Sequence, residues 1–269
     1  MSVRHAAVLG SPIAHSLSPV LHRAAYAALG LDWSYSAIEC SADELEGVLA
    51  ARADWAGFSC TMPLKHAALD VVDVVAPRAA DVGAANTVLP MPGGGWRADN
   101  TDVDGVVESL AESGVAPSTV TVLGAGGTAQ AVVAALAVLG VARCTVLVRD
   151  LSRSGAVLAT GERVGVGVVT GLLGAPVPAG LVVSTLPGGA ADPLARLPWT
   201  SEHAVLDVVY DPWPTPLAAA ARAGGATVIS GALMLLHQAA AQVALMTGRD
   251  APVPAMRAAL RAAALGCGA

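Results

Sequence analysis

The sequence predicts an α/β protein of two domains, one of them a doubly wound parallel sheet. From Thr119 onward, six short apolar runs alternate with helical patterns, as expected of parallel strands buried on both faces. The first run ends in Gly124-Ala125-Gly126-Gly127-Thr128-Ala129, a glycine-rich turn opening into a helix. The chain is 54% hydrophobic but only 3% aromatic, so burial must come from small aliphatic side chains on closely packed helices and strands. Its 269 residues suit two domains at roughly 100–200 residues each.

Charge and hydropathy exclude several classes. Fifteen Lys and Arg against 21 Asp and Glu give a net charge of −6, which disfavours a phosphate-backbone partner, so no nucleic acid is expected. The longest apolar stretch, Ala131 to Ala142, is bounded by Gln130 and Arg143 and broken by Gly140; a membrane span needs about 20 uninterrupted apolar residues. The first residues run at once into Gly10-Ser11-Pro12 without the apolar core of a signal peptide, so a cytoplasmic protein is expected. Cys40, Cys60, Cys144 and Cys267 are scattered, so they are expected to be buried or tail thiols, with no metal site and no disulfide framework. Monomer and homodimer both remain open.

In chain order, strands are expected at Ala6–Leu9, Trp33–Ile38, Gly57–Cys60 and Thr87–Leu89, with helices between most of them. The segment Pro90-Met91-Pro92-Gly93-Gly94-Gly95 turns the fourth strand back onto Trp96–Ala98 as a hairpin. A loop, Asp99-Asn100-Thr101-Asp102, follows. The second set of strands is Val120–Leu123, Cys144–Val148, Gly165–Val169, Leu181–Thr185, Ala204–Val208 and Ala226–Ile229. After Gly231 comes a long helix, Ala232–Thr247, containing His237, Gln238 and Gln242, and then a last Ala-rich helix. No seventh strand is left for these two helices, so they are expected to return to the first domain. That gives a discontinuous domain of residues 1–103 and 233–269 and a dinucleotide-binding domain of residues 104–232.

The glycine loop has the required strand-turn-helix context. Gly124 permits the turn, Gly126 lets backbone amides approach a pyrophosphate, and Ala129 keeps the helix close to the sheet. At the end of the next strand stand Arg149 and Asp150, with Arg153 four residues after Arg149. An Arg there neutralises a 2′-phosphate, whereas an Asp hydrogen-bonds the ribose hydroxyls of NAD. The two signals conflict; Arg149 comes first and has Arg153 as a helper, which favours NADP over NAD.

Four polar clusters end the apolar segments of the first domain: His15-Ser16-Leu17-Ser18-Pro19, Thr61-Met62-Pro63-Leu64-Lys65, Asn86-Thr87 and Asn100-Thr101-Asp102. Each alone is compatible with capping or turn chemistry. Together with Gln238 they supply hydroxyl, amide, ammonium and carboxylate groups, suited to a small polyhydroxylated acid. Ser16 and Ser18 lie one residue apart in what reads as an extended stretch before Pro19.

Six ordered motifs, Ser16-x-Ser18-Pro19, Thr61-x-Pro63-x-Lys65, Gly83-Ala84-Ala85-Asn86-Thr87, Asn100-Thr101-Asp102, Gly124-Ala125-Gly126-Gly127 and Gly231-x-x-Met234-Leu235-x-x-Gln238-Ala239, resemble the shikimate dehydrogenase family over nearly the whole chain. The resemblance implies a substrate domain closed by the C-terminal helices, an NADP-binding Rossmann domain, and reduction of 3-dehydroshikimate to shikimate on the way to chorismate and the aromatic amino acids. It implies that Ser16 and Ser18 bind the substrate carboxylate, and that Thr61, Asn86, Asp102 and Gln238 bind its ring hydroxyls. It implies that Lys65 is catalytic, partnered by Asp102, and that Tyr210 flanks the substrate. It places Gly124, Ala125, Gly126, Gly127, Thr128, Ala129, Arg149, Arg153, Thr185, Gly231 and Met234 at the cofactor.

Lys65 would exchange a proton with the C3 oxygen while Asp102 holds it in place. His66 is a second candidate base, although adjacent residues usually point apart. The sequence departs from the family pattern at Ser59, where Asn is usual, and near the cofactor at Val148, Asp150 and Ser184-Thr185-Leu186-Pro187. Two other readings stand beside this one. One is an NAD-dependent quinate/shikimate dehydrogenase, supported by Asp150; the other is a non-catalytic sensor of shikimate-like acids.

Overall fold

The computed structural model describes residues 3–266; Cys267 lies outside them. The elements are β1 (Arg4–Gly10), α1 (Ser18–Ala28), β2 (Trp33–Glu39), α2 (Leu45–Ala50), β3 (Gly57–Cys60), α3 (Leu64–Asp70), β4 (Val74–Val75), α4 (Pro77–Val82), β5 (Thr87–Pro90), β6 (Trp96–Asp99), α5 (Asp102–Glu112), β7 (Val120–Leu123), α6 (Gly127–Val138), β8 (Arg143–Val148), α7 (Gly155–Val164), β9 (Gly167–Leu172), β10 (Gly180–Ser184), β11 (His203–Asp207), α8 (Pro216–Ala223), β12 (Thr227–Ser230), α9 (Gly231–Thr247) and α10 (Val253–Gly266). They form two compact units, Met1–Thr101 with Leu235–Ala269, and Asp102–Met234.

The first unit holds a mixed six-stranded sheet in the order β2-β1-β3-β5-β6-β4. β1 pairs in parallel with β2 and β3, while β5 runs antiparallel to both β3 and β6, so β5 and β6 form the hairpin. Side chains alternate across β1, as a pleated strand requires. Ala7 and Leu9 pack with Phe58 and Cys60 on one face, and Ala6 and Val8 pack with Tyr26, Tyr35 and Met246 on the other. Both faces are therefore covered, which explains why β1 reads as a continuous apolar run. Two details differ from the sequence reading. The two-residue β4 pairs with β6 and is too short to show a period, and Asp102 opens α5 where a loop was expected.

The second unit is a six-stranded parallel sheet, β12-β11-β10-β7-β8-β9. This order reverses between β7 and β10, and such a switch point is where open α/β sheets bind ligands. The expected third strand, Gly165–Val169, is displaced to Gly167–Leu172 because Gly165 (φ 75°) is the left-handed C-cap of α7. No described helix is long and apolar enough to cross a membrane.

Candidate active site

In the first unit, four separated segments converge on Asn86. Ala85 N–H donates to the Lys65 carbonyl at 2.7 Å, and Cys60 N–H donates to the Asn86 carbonyl at 2.7 Å. These bonds fix the end of β5 against the Thr61–Lys65 segment. The Thr61 carbonyl accepts from Leu64 N–H at 2.7 Å, and Lys65 lies half-buried in the first turn of α3 while His66 is exposed. Asn86 Oδ1 accepts from Thr101 N–H at 2.8 Å, so the peptide leading into Asp102 is anchored on Asn86. Asn86 Nδ2 donates to Thr101 Oγ1 at 3.0 Å and to Gln238 Oε1 at 3.2 Å.

Gln238 reaches this point because α9 presents Gln238, Gln242 and Met246 at four-residue spacing, a single helical stripe. Met246 meets the apolar core. Gln242, wholly buried, donates to the Asn86 carbonyl and to Thr87 Oγ1, both at 3.0 Å. The sequence analysis named Gln242 only as part of the helix; two Gln one turn apart in an otherwise apolar helix were the signal. Gly10 was also missed, and any side chain there would collide with Thr61 and the Met62 carbonyl.

Ser16 and Ser18 stand at the entry to α1, on a loop tied to the Thr61 segment by Ser11 N–H donating to the Met62 carbonyl at 3.0 Å. The loop is a turn and not the extended stretch expected: Leu17 is in the right-handed helical region, and Ser18 N–H donates to Ser16 Oγ at 3.3 Å. That contact is long, and it leaves the Ser16 hydroxyl proton uncommitted.

His22 follows on α1, fully buried and stacked on Tyr35 with ring centroids 4.0 Å apart. Burial pushes its pKa down to about 3, against a hydrogen bond to Gln242 that raises it. Because the folded value lies below the unfolded 6.5, the unfolded chain binds one more proton between those limits. Stability is therefore lost as pH falls through that window, by about 1.4 kcal/mol per pH unit. In urea titrations at graded pH, His22→Asn should flatten this acid limb; an unchanged slope would contradict a neutral buried His22.

In the second unit, Gly124 adopts φ 104°, and a side chain there would strike Thr185 Oγ1. Thr185 N–H and Oγ1 both donate to the Leu123 carbonyl, at 2.9 and 2.8 Å, which locks the two strand ends of the switch point together. Gly126 is different: its φ of −82° is open to any residue and nothing lies within 4 Å of a Cβ built on it. The protein's own packing does not demand glycine there, and a closely approaching pyrophosphate does. Gly126 caps α6, Ala125 precedes it, Gly127 and Thr128 form the first turn, and Ala129 is buried. These residues fit a dinucleotide.

Arg149 and Arg153 are both exposed. Asp150 is turned onto its own backbone: its Oδ1 accepts from Ser152 N–H at 2.9 Å, capping the 3-10 turn Leu151–Ser154. Hydrogen bonds from the Ser152 side chain and then from its backbone N–H hold the carboxyl below the usual range.

Gly231 packs so closely on the Val208 backbone that no side chain fits, which gives it a structural reason independent of any ligand. Met234 is buried and Tyr210 half-buried. Tyr210 sits on a loop held by Asp207, not singled out from the sequence. The Asp207 carboxylate accepts from Thr215 Oγ1 at 2.7 Å and from Val209 N–H at 3.3 Å, and burial raises its pKa.

Burial raises the pKa of all three described cysteines, Cys60 to about 12 and Cys144 to about 11, so they are poor nucleophiles. Among the described residues no cluster of His, Cys, Asp or Glu could hold a metal.

A parallel sheet with a glycine-rich loop at its switch point, in one chain with a buried nest of amide and hydroxyl groups tied to the half-buried Lys65 segment, defines a dinucleotide-dependent dehydrogenase acting on a small polar compound. The shikimate dehydrogenase substrate binding domain matches residues 8–88, and the shikimate 5'-dehydrogenase C-terminal domain matches residues 231–261.

A shikimate dehydrogenase (NADP(+)) from Synechococcus sp. (strain JA-3-3Ab) is 37% identical over 94% of this chain and 92% of its own. The crystal structure of Mycobacterium tuberculosis shikimate dehydrogenase is 49% identical with a TM-score of 0.87, covering 97% of this chain and 99% of that one. Shikimate 5-dehydrogenase from Thermus thermophilus, in complex with NADP(H) and shikimate, is 37% identical with a TM-score of 0.84 over 97% and 99% of the two chains. Quinate dehydrogenase from Corynebacterium glutamicum, in complex with NAD, is 30% identical with a TM-score of 0.85 over 97% and 100%. The chain belongs to the shikimate dehydrogenase family.

Proposed function

We propose that this protein catalyses the reversible NADP-dependent reduction of 3-dehydroshikimate to shikimate, a step of aromatic amino acid biosynthesis. The carrying observation is the convergence of Thr101 and Gln238, from segments far apart in sequence, on the buried Asn86 amide, with the Thr61–Lys65 segment tied to the same strand end by backbone hydrogen bonds from Cys60 to Asn86 and from Ala85 to Lys65. Bound NADPH supplies the hydride. The chain's own residues supply orientation and one proton.

Lys65 Nζ donates that proton to the C3 oxygen as the ketone becomes an alcohol, and takes it back in the reverse direction. Asp102 positions Lys65 and accepts from a ring hydroxyl. Asn86, Thr61 and Gln238 bind the remaining ring hydroxyls, Ser16 and Ser18 bind the carboxylate, and Tyr210 flanks the ring. Gly124 to Ala129 receive the pyrophosphate, with Arg149 and Arg153 at the 2′-phosphate and Thr185, Gly231 and Met234 beside the nicotinamide half. The substrate domain in this reading is residues 1–103 and 233–269, and the cofactor domain residues 104–232. We place the protein in the cytoplasm, where buried thiols stay reduced.

Absorbance of reduced cofactor, followed with each of NADP and NAD against shikimate or quinate, tests this reading. Turnover of shikimate with NADP is expected; NAD with quinate as the best pair would replace it, and no turnover with any pair would indicate a sensor. NADP over NAD is supported by Asp150, the carboxylate that an NAD reading would assign to the ribose, already capping its own turn.

The double variant Ser16→Ala/Ser18→Ala should raise the shikimate KM by at least about 30-fold, since two hydrogen bonds to a charged group are worth roughly 1.5–3 kcal/mol each and part is recovered by water. A shikimate analogue with a neutral amide in place of the carboxylate should bind the parent protein poorly. Equal binding of acid and amide would remove the assignment.

A further inference from the structure

Behind Asn86 lies a chain of buried polar groups whose hydrogen bonds all run one way. Two backbone groups fix the direction, because each can play only one part. Thr101 N–H donates to Asn86 Oδ1 at 2.8 Å, so that end of the amide is the acceptor and Nδ2 is the donor, turned toward Gln238. The Asn86 carbonyl accepts from Gln242 Nε2 at 3.0 Å, so Gln242 directs its oxygen away from the site.

Thr87 joins the two amides. Its Oγ1 accepts from Gln242 Nε2 at 3.0 Å and passes its own proton to Asn86 Oδ1 at 2.8 Å. On the far side, Gln242 Oε1 accepts from Ser59 Oγ at 2.7 Å and from His22 Nε2–H at 3.2 Å. Since the Ser59 proton is committed there, Tyr35 donates to Ser59 Oγ, at 2.5 Å. His22 Nδ1 is left facing the Tyr26 hydroxyl at 3.4 Å. The six members, His22, Tyr35, Ser59, Asn86, Thr87 and Gln242, are each 5% exposed or less.

We propose that Gln242 is a positioning residue that sets the hydrogen-bond polarity of the substrate site. It holds Asn86, through Thr87 and the Asn86 carbonyl, with Nδ2 as the donor end, so that a ring hydroxyl taking over the N–H now given to Gln238 Oε1 is met there through its oxygen lone pair. Ser59 belongs to the same device: it stands opposite Thr87 across β3 and β5 and spends its hydroxyl on Gln242. This rests on the reading of Asn86 as a substrate contact.

Gln242→Glu tests it, because the change is nearly isosteric and replaces the Nε2 donor with an acceptor. Thr87 would then turn its proton to the carboxylate, and Asn86 Oδ1 would lose a partner. The expected result is a shikimate KM raised about tenfold or more, with NADP KM unchanged and kcat altered by less than about threefold.

The split between shikimate KM and kcat is the readout a merely structural role would not reproduce, and imidazole 15N NMR reports the orientation of the residue-242 side chain through its contact with His22. The titratable groups packed around His22 are Tyr26 on its own helix and Tyr35 on β2. Parent His22 should remain neutral and Nε2-protonated across about pH 5–8, whereas the carboxylate of the variant should bring its protonation into that range.

Thr87→Val keeps the proposal testable if the Glu variant fails to fold: it should raise the shikimate KM by the same route, and Thr87→Ser should restore parent values. A folded Gln242→Glu or Thr87→Val protein with shikimate KM within about twofold of the parent would overturn the proposal. So would equal losses in kcat and NADP KM. Failure of the parent itself to turn over shikimate would defeat the functional reading instead, and the His22 resonances would still decide the polarity.

Discussion

Lys65→Ala is expected to lower kcat by about 10²- to 10⁴-fold, the usual worth of a positioned proton donor, while shikimate affinity stays within about tenfold. The ammonium is the group assigned to exchange a proton with the C3 oxygen. Its backbone carbonyl is tied to Ala85 N–H, so the first turn of α3 should hold its position without the side chain. His66→Ala is the matched control. That residue is exposed where Lys65 is half-buried, and its removal should leave kcat within about twofold. Steady-state kinetics of the two variants decide between them: near-normal kcat in Lys65→Ala, or a large loss in His66→Ala, would transfer the proton-transfer role elsewhere.

For the cofactor, kcat/KM with NADP should exceed that with NAD by at least about tenfold, about 1.4 kcal/mol of transition-state preference. Arg149 is exposed at the end of β8, where its planar donors and fixed charge can meet a 2′-phosphate. Arg149→Ala should erase most of the gap. Asp150 faces its own turn, and charge is the only way it can oppose the phosphate, so Asp150→Asn, which keeps a capping oxygen, should leave or widen the preference. A parent enzyme that prefers NAD, and loses that preference in Asp150→Asn, would reverse the assignment.

The parts legible in the sequence are those whose signals are local. The glycine loop announces itself within six residues because a turn, a phosphate approach and a helix start follow one another along the chain. The inner parallel strands β7, β8, β10 and β11 are legible because burial makes each a short apolar run, whereas the edge strand β9 is half-buried or exposed along its length and was placed two residues early. What failed was either too short or too distant. β4 has two residues, fewer than any periodicity can show. Asp102 was read as the end of the polar run Asp99-Asn100-Thr101-Asp102, although Asp102 and Asp104 in the first turn of its helix match the acidic start that complements a helix dipole.

Gln242 was read only as a helix residue. Its meaning depends on Ser59, Asn86 and Thr87, more than 150 residues earlier in the chain, and nothing local says that a glutamine in an apolar helix will complete a network. Ser59 shows the same limit. Alone it reads as a departure from the family pattern, and only beside Tyr35 and Gln242 does a serine make sense, since its hydroxyl accepts from one and donates to the other.

The most direct test of the central claim is a single-turnover reaction of the purified protein with 3-dehydroshikimate and NADPH carrying deuterium at both C4 positions, analysed by mass spectrometry and NMR. The account predicts shikimate bearing one deuterium, located at C3. Unlabelled shikimate, label at another carbon, or no conversion under conditions where the cofactor is bound would contradict it.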